Sequence, residues 1–203
     1  MGRYSLAAIL TFLSLTLAAC AGGGKEVAEP TTAAQPTSAA TPTPMNTPTI
    51  TDNLFEFKDK GYSVRFPQGW TPLPNYLPGP DFSIDAFFAP QEEQIAEVQP
   101  NIAVTCETLP EGMTLKDYFD REVEIVKQVT KVEPETSSRE VSGQEALQLR
   151  YARETTAMPL EKTEVLFVTD RCGWNISLTA PFSNSASYHE PFEQFVNSFL
   201  LLP

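Results

Sequence analysis

The chain has 203 residues, with 14 Lys and Arg against 26 Asp and Glu and a single His, for a formal net charge of −12. The only charged side chains before Thr51 are Arg3, Lys25, Glu26 and Glu29, so the acidic excess belongs entirely to the region after residue 50. A surface of that sign argues against nucleic acid and anionic lipid headgroups as partners, and a region of that length forms one domain with a sizeable core.

The first 19 residues read as an export signal. Arg3 supplies the basic start, and an apolar stretch follows from Tyr4 to Leu17. That stretch is too short, and too interrupted by Ser5, Thr11, Ser14 and Thr16, for a membrane-spanning helix, which needs about 20 apolar residues. The stretch ends in Leu17-Ala18-Ala19-Cys20, which resembles the lipobox of bacterial lipoproteins. The resemblance implies cleavage before Cys20, a lipid on its thiol, and residence at the extracytoplasmic face of the cell membrane or outer membrane. An ordinary secretory signal cut after Ala19 is the alternative. Cys20 and the pliable Ala21-Gly22-Gly23-Gly24 behind it favour the lipoprotein.

Residues 20–50 read as a tether. Pro30, Pro36, Pro42 and Pro44 are spaced among Thr and Ala, with almost no large apolar side chains to offset the entropy of ordering. Such a segment favours extended backbone of about 3.1 Å per residue.

Residues 51–203 carry the folded domain. Phe55 to Phe57 and Tyr62 to Phe66 alternate apolar and polar around Gly61, the pattern of a hairpin. Leu73 to Pro80 reads as a proline-rich loop, Phe82 to Phe88 as a strand, and Gln91 to Pro100 as a polar connection. Asn101 to Leu109 is the next strand, with Ile102, Val104 and Cys106 on one face. Thr114 and Asp117 form a capping box opening a helix to about Val129, with Leu115, Phe119, Val123 and Val126 on its apolar side. Glu133 to Val141 reads as a polar edge strand. Ser142-Gly143 is a turn into the strand of Leu147, Leu149 and Tyr151. After a polar connection from Glu154 to Lys162, strands follow at Thr163 to Val168 and around Trp174, Ile176 and Leu178. Tyr188, Phe192, Phe195, Val196 and Phe199 recur at helical spacing, with Pro191 placed in the first turn. Strands and helices in this order are α+β, with helices packed on an antiparallel sheet.

Cys106 and Cys172 are the cysteines left after Cys20, and an even pair in an exported domain reads as a disulfide. Cys106 shares the parity of Ile102 and Val104, and Cys172 that of Trp174, Ile176 and Leu178. If their strands are antiparallel neighbours, the thiols meet and close a loop of about 65 residues, contributing on the order of 4 kcal/mol in the chain-entropy model.

The segment Gly61-Tyr62-Ser63-Val64-Arg65-Phe66-Pro67-Gln68-Gly69-Trp70 resembles the opening of PsbP-like proteins. So do Ser142-Gly143-Gln144-Glu145-Ala146 leading into a strand, and the closing helix through Val196-Asn197-Ser198-Phe199. The resemblance spans most of Tyr62 to Leu200. It implies an α/β/α sandwich around an antiparallel sheet and a non-catalytic binding or accessory role. Members include extrinsic photosystem II subunits, bacterial lipoproteins and a eukaryotic binder of a small GTPase. The shared residues encode fold rather than chemistry.

The residues show no catalytic set and imply no cofactor. His189 and Glu193, four apart on the last helix, form a two-ligand patch for a divalent cation, or a solvated helix face. A triad would have to use His189, and no G-x-S-x-G elbow is present. Glu92, Glu93 and Glu97 form an acidic stretch. The expected function is a membrane-anchored extracytoplasmic lipoprotein, not an enzyme, that binds a membrane or envelope protein complex. The alternative is a small-solute or divalent-metal binding protein.

Overall fold

The computed structural model describes residues 47–79 and 81–203. Two antiparallel sheets and two helices make an α+β fold. The larger sheet has seven strands: β4 (Thr71–Pro78), β5 (Phe82–Phe88), β6 (Asn101–Glu107), β7 (Glu135–Val141), β8 (Gln144–Arg153), β9 (Leu160–Val168) and β10 (Gly173–Pro181). Their order is β4-β5-β6-β10-β9-β8-β7. The smaller sheet joins β1 (Thr49–Thr51), β2 (Leu54–Phe57), β3 (Tyr62–Arg65) and β11 (Leu200–Leu201). The hairpin expected at Phe55 to Phe66 therefore does not extend the main sheet. It pairs instead with the last residues of the chain, Leu200 with Ser63 and Leu201 with Tyr62. Its first strand begins at Thr49, inside the stretch read from sequence as tether.

The small sheet and α2 (Ala186–Ser198) cover one face of the large sheet. The core between them is aromatic. Tyr62 stacks on Phe199 with centroids 5.2 Å apart, Trp174 stacks on Phe167 at 5.9 Å, and Phe87 meets Phe55 and Phe195 edge-on. Trp70 is buried and touches Tyr188 edge-on, closing one end of this core. α2 starts at Ala186, a turn earlier than its aromatic periodicity suggests, so Pro191 lies within the helix rather than in its first turn. The missing N–H leaves the carbonyl of Ser187 without its intrahelical donor, on the exposed side where water can serve it.

α1 (Leu115–Thr130) lies on the opposite face, packed mainly on β8 and β9. Its start is the expected capping box: Thr114 accepts from the Asp117 N–H and Asp117 accepts from the Thr114 N–H. Its buried stripe differs from expectation. Tyr118 and Val126 are buried, while Leu115, Phe119 and Val123 are half-exposed. Glu122 lies between Tyr118 and Val126 at helical spacing, so the true inner stripe carries a carboxylate and escapes an apolar pattern.

β4 overturns the loop expected at Leu73 to Pro80. Pro72, Pro74 and Pro78 are compatible with a strand because β4 is an edge, where an N–H can be spared. The strand bulges: Leu73 and Leu77 oppose Ala86 and Ile84, so four residues of β4 span two of β5. At the bulge Asn75 takes φ 52° and points its N–H at Asp85 Oδ1, 2.7 Å away.

Asp85 is 1% exposed on the core face of β5. The same Oδ1 binds Lys60 Nζ at 2.5 Å, and Oδ2 accepts from the Tyr62 hydroxyl at 2.6 Å. Burial, and then the charge and hydrogen bond of Asp85, push the Tyr62 phenol well above its ordinary range, so it stays a donor. One carboxylate thus joins the β2–β3 turn, β3 and the β4 bulge. Asp85→Ala removes the acceptor of three donors, and the expected cost is about 3–5 kcal/mol in urea titration. Tyr62→Phe, which removes one hydrogen bond to a charged group, costs about 1.5–3 kcal/mol.

Candidate functional site

Cys106 and Cys172 form the expected disulfide, with Cα atoms 5.7 Å apart. Cys106 lies opposite Trp174 in the β6–β10 ladder, and Cys172 sits just before β10 begins, so parity had placed both correctly. Beside the bond is a cleft of about 760 Å³, lined by Gly61, Leu109, Met113, Thr169, Arg171 and Leu202 among others. The Arg171 guanidinium rests on Gly61. A Cβ there would displace Nη1, and φ of 75° favours glycine, which accounts for the glycine of the Gly61-Tyr62 opening. Glu111, Asp170 and Arg171 bring both signs of charge to the rim, with no convergent polar set.

Under α1 the large sheet holds a second polar group. Glu164 is 4% exposed on β9. Its Oε1 accepts from Lys162 Nζ at 2.9 Å and the Tyr151 hydroxyl at 2.8 Å, and its Oε2 from Asn175 Nδ2 at 3.1 Å. Burial opposes its ionisation, but the Lys162 charge and these three bonds outweigh it and hold the carboxyl below the usual range. Glu122 behaves oppositely. Burial, then the charge of Glu164, raise its carboxyl, and Arg121 offsets this only in part. Arg121 is shared, reaching Glu107 at 2.7 Å and Glu122 at 3.0 Å.

His189 and Glu193 do not converge. His189 Nε2 meets Glu161 Oε1 on β9 at 2.5 Å, and Arg150 holds the other oxygen of that carboxylate at 2.9 Å. Glu193 pairs with Arg139 of β7 at 3.0 Å. Although four apart on α2, each is drawn to the strand it faces, so the cation patch considered from spacing is corrected to two separate helix–sheet pairs. Among the described residues no group of three or more His, Cys, Asp and Glu is arranged to hold a metal ion. Glu93 of the acidic stretch accepts from the Tyr188 hydroxyl at 2.9 Å. Cys20, the signal at 1–19 and most of the tether at 20–50 lie outside the described residues.

Sequence reasoning missed Asp85 and Glu164 because each reads as the polar member of an alternating strand, and Glu122 because it reads as a polar position of the helix. An acid facing the apolar parity of its own strand, as Asp85 does beside Phe87, was the available signal. The linkage signs follow from the pKa directions. Glu164 titrates lower folded than unfolded, so its charge stabilises above the ordinary carboxylate range, and that stability is lost as pH falls through the folded value. Glu122 titrates higher folded than unfolded, so its contribution is present in acid and lost as pH rises through the folded value. Glu122→Gln is therefore expected to raise the melting temperature at neutral pH and to leave it nearly unchanged in acid. Glu164→Gln should lower it at neutral pH by an amount that shrinks on acidification. Reducing the disulfide should cost on the order of 4 kcal/mol in the same denaturation assay.

No protein-family model matches the chain, and no curated protein sequence matches it. Solved structures do share its fold. PA94 of Pseudomonas aeruginosa, a protein of unknown function, superposes with a TM-score of 0.53 at 17% identity, over 74% of this chain and 95% of its own. CyanoP, the cyanobacterial PsbP of Synechocystis sp. PCC 6803, gives 0.52 at 15% identity, over 73% and 91%. LpqN of Mycobacterium tuberculosis, involved in cell envelope biogenesis, gives 0.53 at 13% identity, over 70% and 83%. At these identities what is shared is the fold, and it is the PsbP-like fold.

Proposed function

We propose that the chain is a membrane-anchored extracytoplasmic lipoprotein, held by a lipid on Cys20, whose domain is a non-catalytic accessory module binding an envelope protein complex. The observation that carries the reading is the Cys106–Cys172 disulfide. Such bonds persist in oxidising compartments outside the cytosol, where the signal and Cys20 would deliver the chain. The fold supports it further, since LpqN, which shares that fold, is involved in cell envelope biogenesis. The ionisable groups agree with binding rather than chemistry. Asp85, Glu161 and Glu164 are each held by fixed partners at 2.5–2.9 Å, so none is a free acid or base beside a second reacting group.

A second reading, binding of a small solute, is favoured by the cleft beside the disulfide, whose size suits a small molecule. Its divalent-cation version lost its donor pair when His189 and Glu193 turned to separate partners.

The full-length chain expressed in a bacterial host tests the first reading. Detergent-extracted protein is expected to have an intact mass lacking residues 1–19 and carrying acyl chains. Cys20→Ala is expected to leave the membrane fraction or remain uncleaved. Wild-type protein from mild detergent should co-purify with a reproducible set of membrane proteins. An unacylated mass would remove the anchor, and recovery only as a free monomer would remove the accessory role.

A further inference from the structure

The large sheet has two edges, and they differ. At β4 the edge is closed: Pro72, Pro74 and Pro78 have no N–H, the strand bulges, and Asn75 gives its own N–H to Asp85. At the other edge β7 contains no proline and pairs with β8 in unbroken register along its seven residues. Glu135 to Ser138 are exposed, and so is Glu140.

The turn between these two strands settles which backbone groups face outward. Ser142 and Gly143 take φ of 51° and 76°, the two left-handed positions of a type I′ turn. Such a turn is closed by a hydrogen-bonded pair, here Val141 and Gln144. Hydrogen-bonded pairs alternate along an antiparallel ladder. The backbone groups of Arg139, Ser137 and Glu135 therefore face β8, and those of Thr136, Ser138 and Glu140 point away from the sheet. Among the described residues these outward N–H and C=O groups have no backbone partner.

The side chains beside them leave a charge unbalanced. Glu140 lies directly opposite Glu145, so both carboxylates share one face of the hairpin. Both are exposed, and neither has an ion-pair partner among the described residues. Like charges directly opposite destabilise a ladder, and a cation opposite Glu140 on a further strand would relieve this pair. A second copy of β7 cannot supply that cation. In an antiparallel β7–β7 contact the outward residues Thr136, Ser138 and Glu140 meet one another, and none is basic. Arg139 points to the other face, where Glu193, Asn197 and Gln148 hold it.

We infer that the open edge of β7 takes up an extended segment of a partner protein as an added antiparallel strand, with Lys or Arg opposite Glu140. The backbone of Thr136, Ser138 and Glu140 supplies the hydrogen bonds, and Glu140 selects the charge of the partner. The inference rests on the binding-module reading above and names its surface, but its test needs neither the anchor nor the natural partner.

The probe is a seven-residue peptide, as long as β7, made of Thr and Val with Lys at its second position. It is titrated into the isotopically labelled full-length chain in detergent micelles and followed by NMR. Binding is expected to slow amide exchange at Thr136, Ser138 and Glu140, and to leave Ser137 and Arg139, already paired with β8, unchanged. Methylating the peptide nitrogens that would face β7, at its second, fourth and sixth positions, should abolish binding. Ser138→Pro removes one outward N–H that the fold does not use. It should weaken binding about tenfold or more, with little change in melting temperature. Replacing the peptide's Lys by Glu should weaken binding about threefold, and Glu140→Lys should reverse that preference. Binding that survives N-methylation or Ser138→Pro, a Lys preference that survives Glu140→Lys, or no binding at all would overturn the site. So would a dimer in sedimentation that Ser138→Pro abolishes, because the occupant would then be a second copy. If a natural partner is recovered and Ser138→Pro retains it, the edge is wrong while the accessory role stands.

Discussion

A carboxylate cannot be left alone in an aromatic core, and the answer to Asp85 organises half of this domain. Burying an isolated charge costs several kcal/mol even after relaxation. Three donors from three separate segments meet it: Lys60 from a turn, Tyr62 from β3 and the Asn75 N–H from the β4 bulge. Each donor fixes something larger. Lys60 and Tyr62 seat the small sheet on the large one, and Tyr62 then presents its ring to Phe199 and Trp174. Asn75 sets the bulge, which with the prolines blunts β4 as an edge. The same residue therefore governs packing on one face of the sheet and the shape of the strand that borders the other.

Much of this fold was legible in the chain, because most of its strands obey simple alternation and its helices carry standard starts. The Thr114–Asp117 cap, the Ser142-Gly143 turn with both φ values positive, and the parity of the two cysteines all follow from local chemistry. The misreadings share one cause, which is that polar residues or prolines were taken at face value. Pro72, Pro74 and Pro78 suggest a loop until β4 is known to be an edge. Glu122 hides the inner stripe of α1 because its charge is tolerated only through Arg121. His189 and Glu193 look like a pair along the helix, yet the strands opposite offer each a better partner. Long-range partners decide these cases, and spacing along one chain does not contain them.

The division of labour between the two sheet faces bears on function. One face is filled by aromatic rings and fully paired acids, and contributes stability. The other is covered by α1 on β8 and β9 and bare over β4 and β5. Glu164 and Glu122 lie in the covered part, where pairing holds one carboxyl low and burial pushes the other up. The bare part carries its apolar residues in a stretch of fifty residues without a cation. A domain built this way keeps its buried carboxylates for holding itself together.

The most direct measurement is site-specific photo-crosslinking in living cells, with a benzophenone side chain in place of Tyr76, Val132 or Glu111 of the full-length chain. Binding of an envelope protein through the folded domain predicts a discrete crosslinked partner from at least one of these exposed positions. Recovery of the chain without a crosslinked partner from all three positions would contradict it.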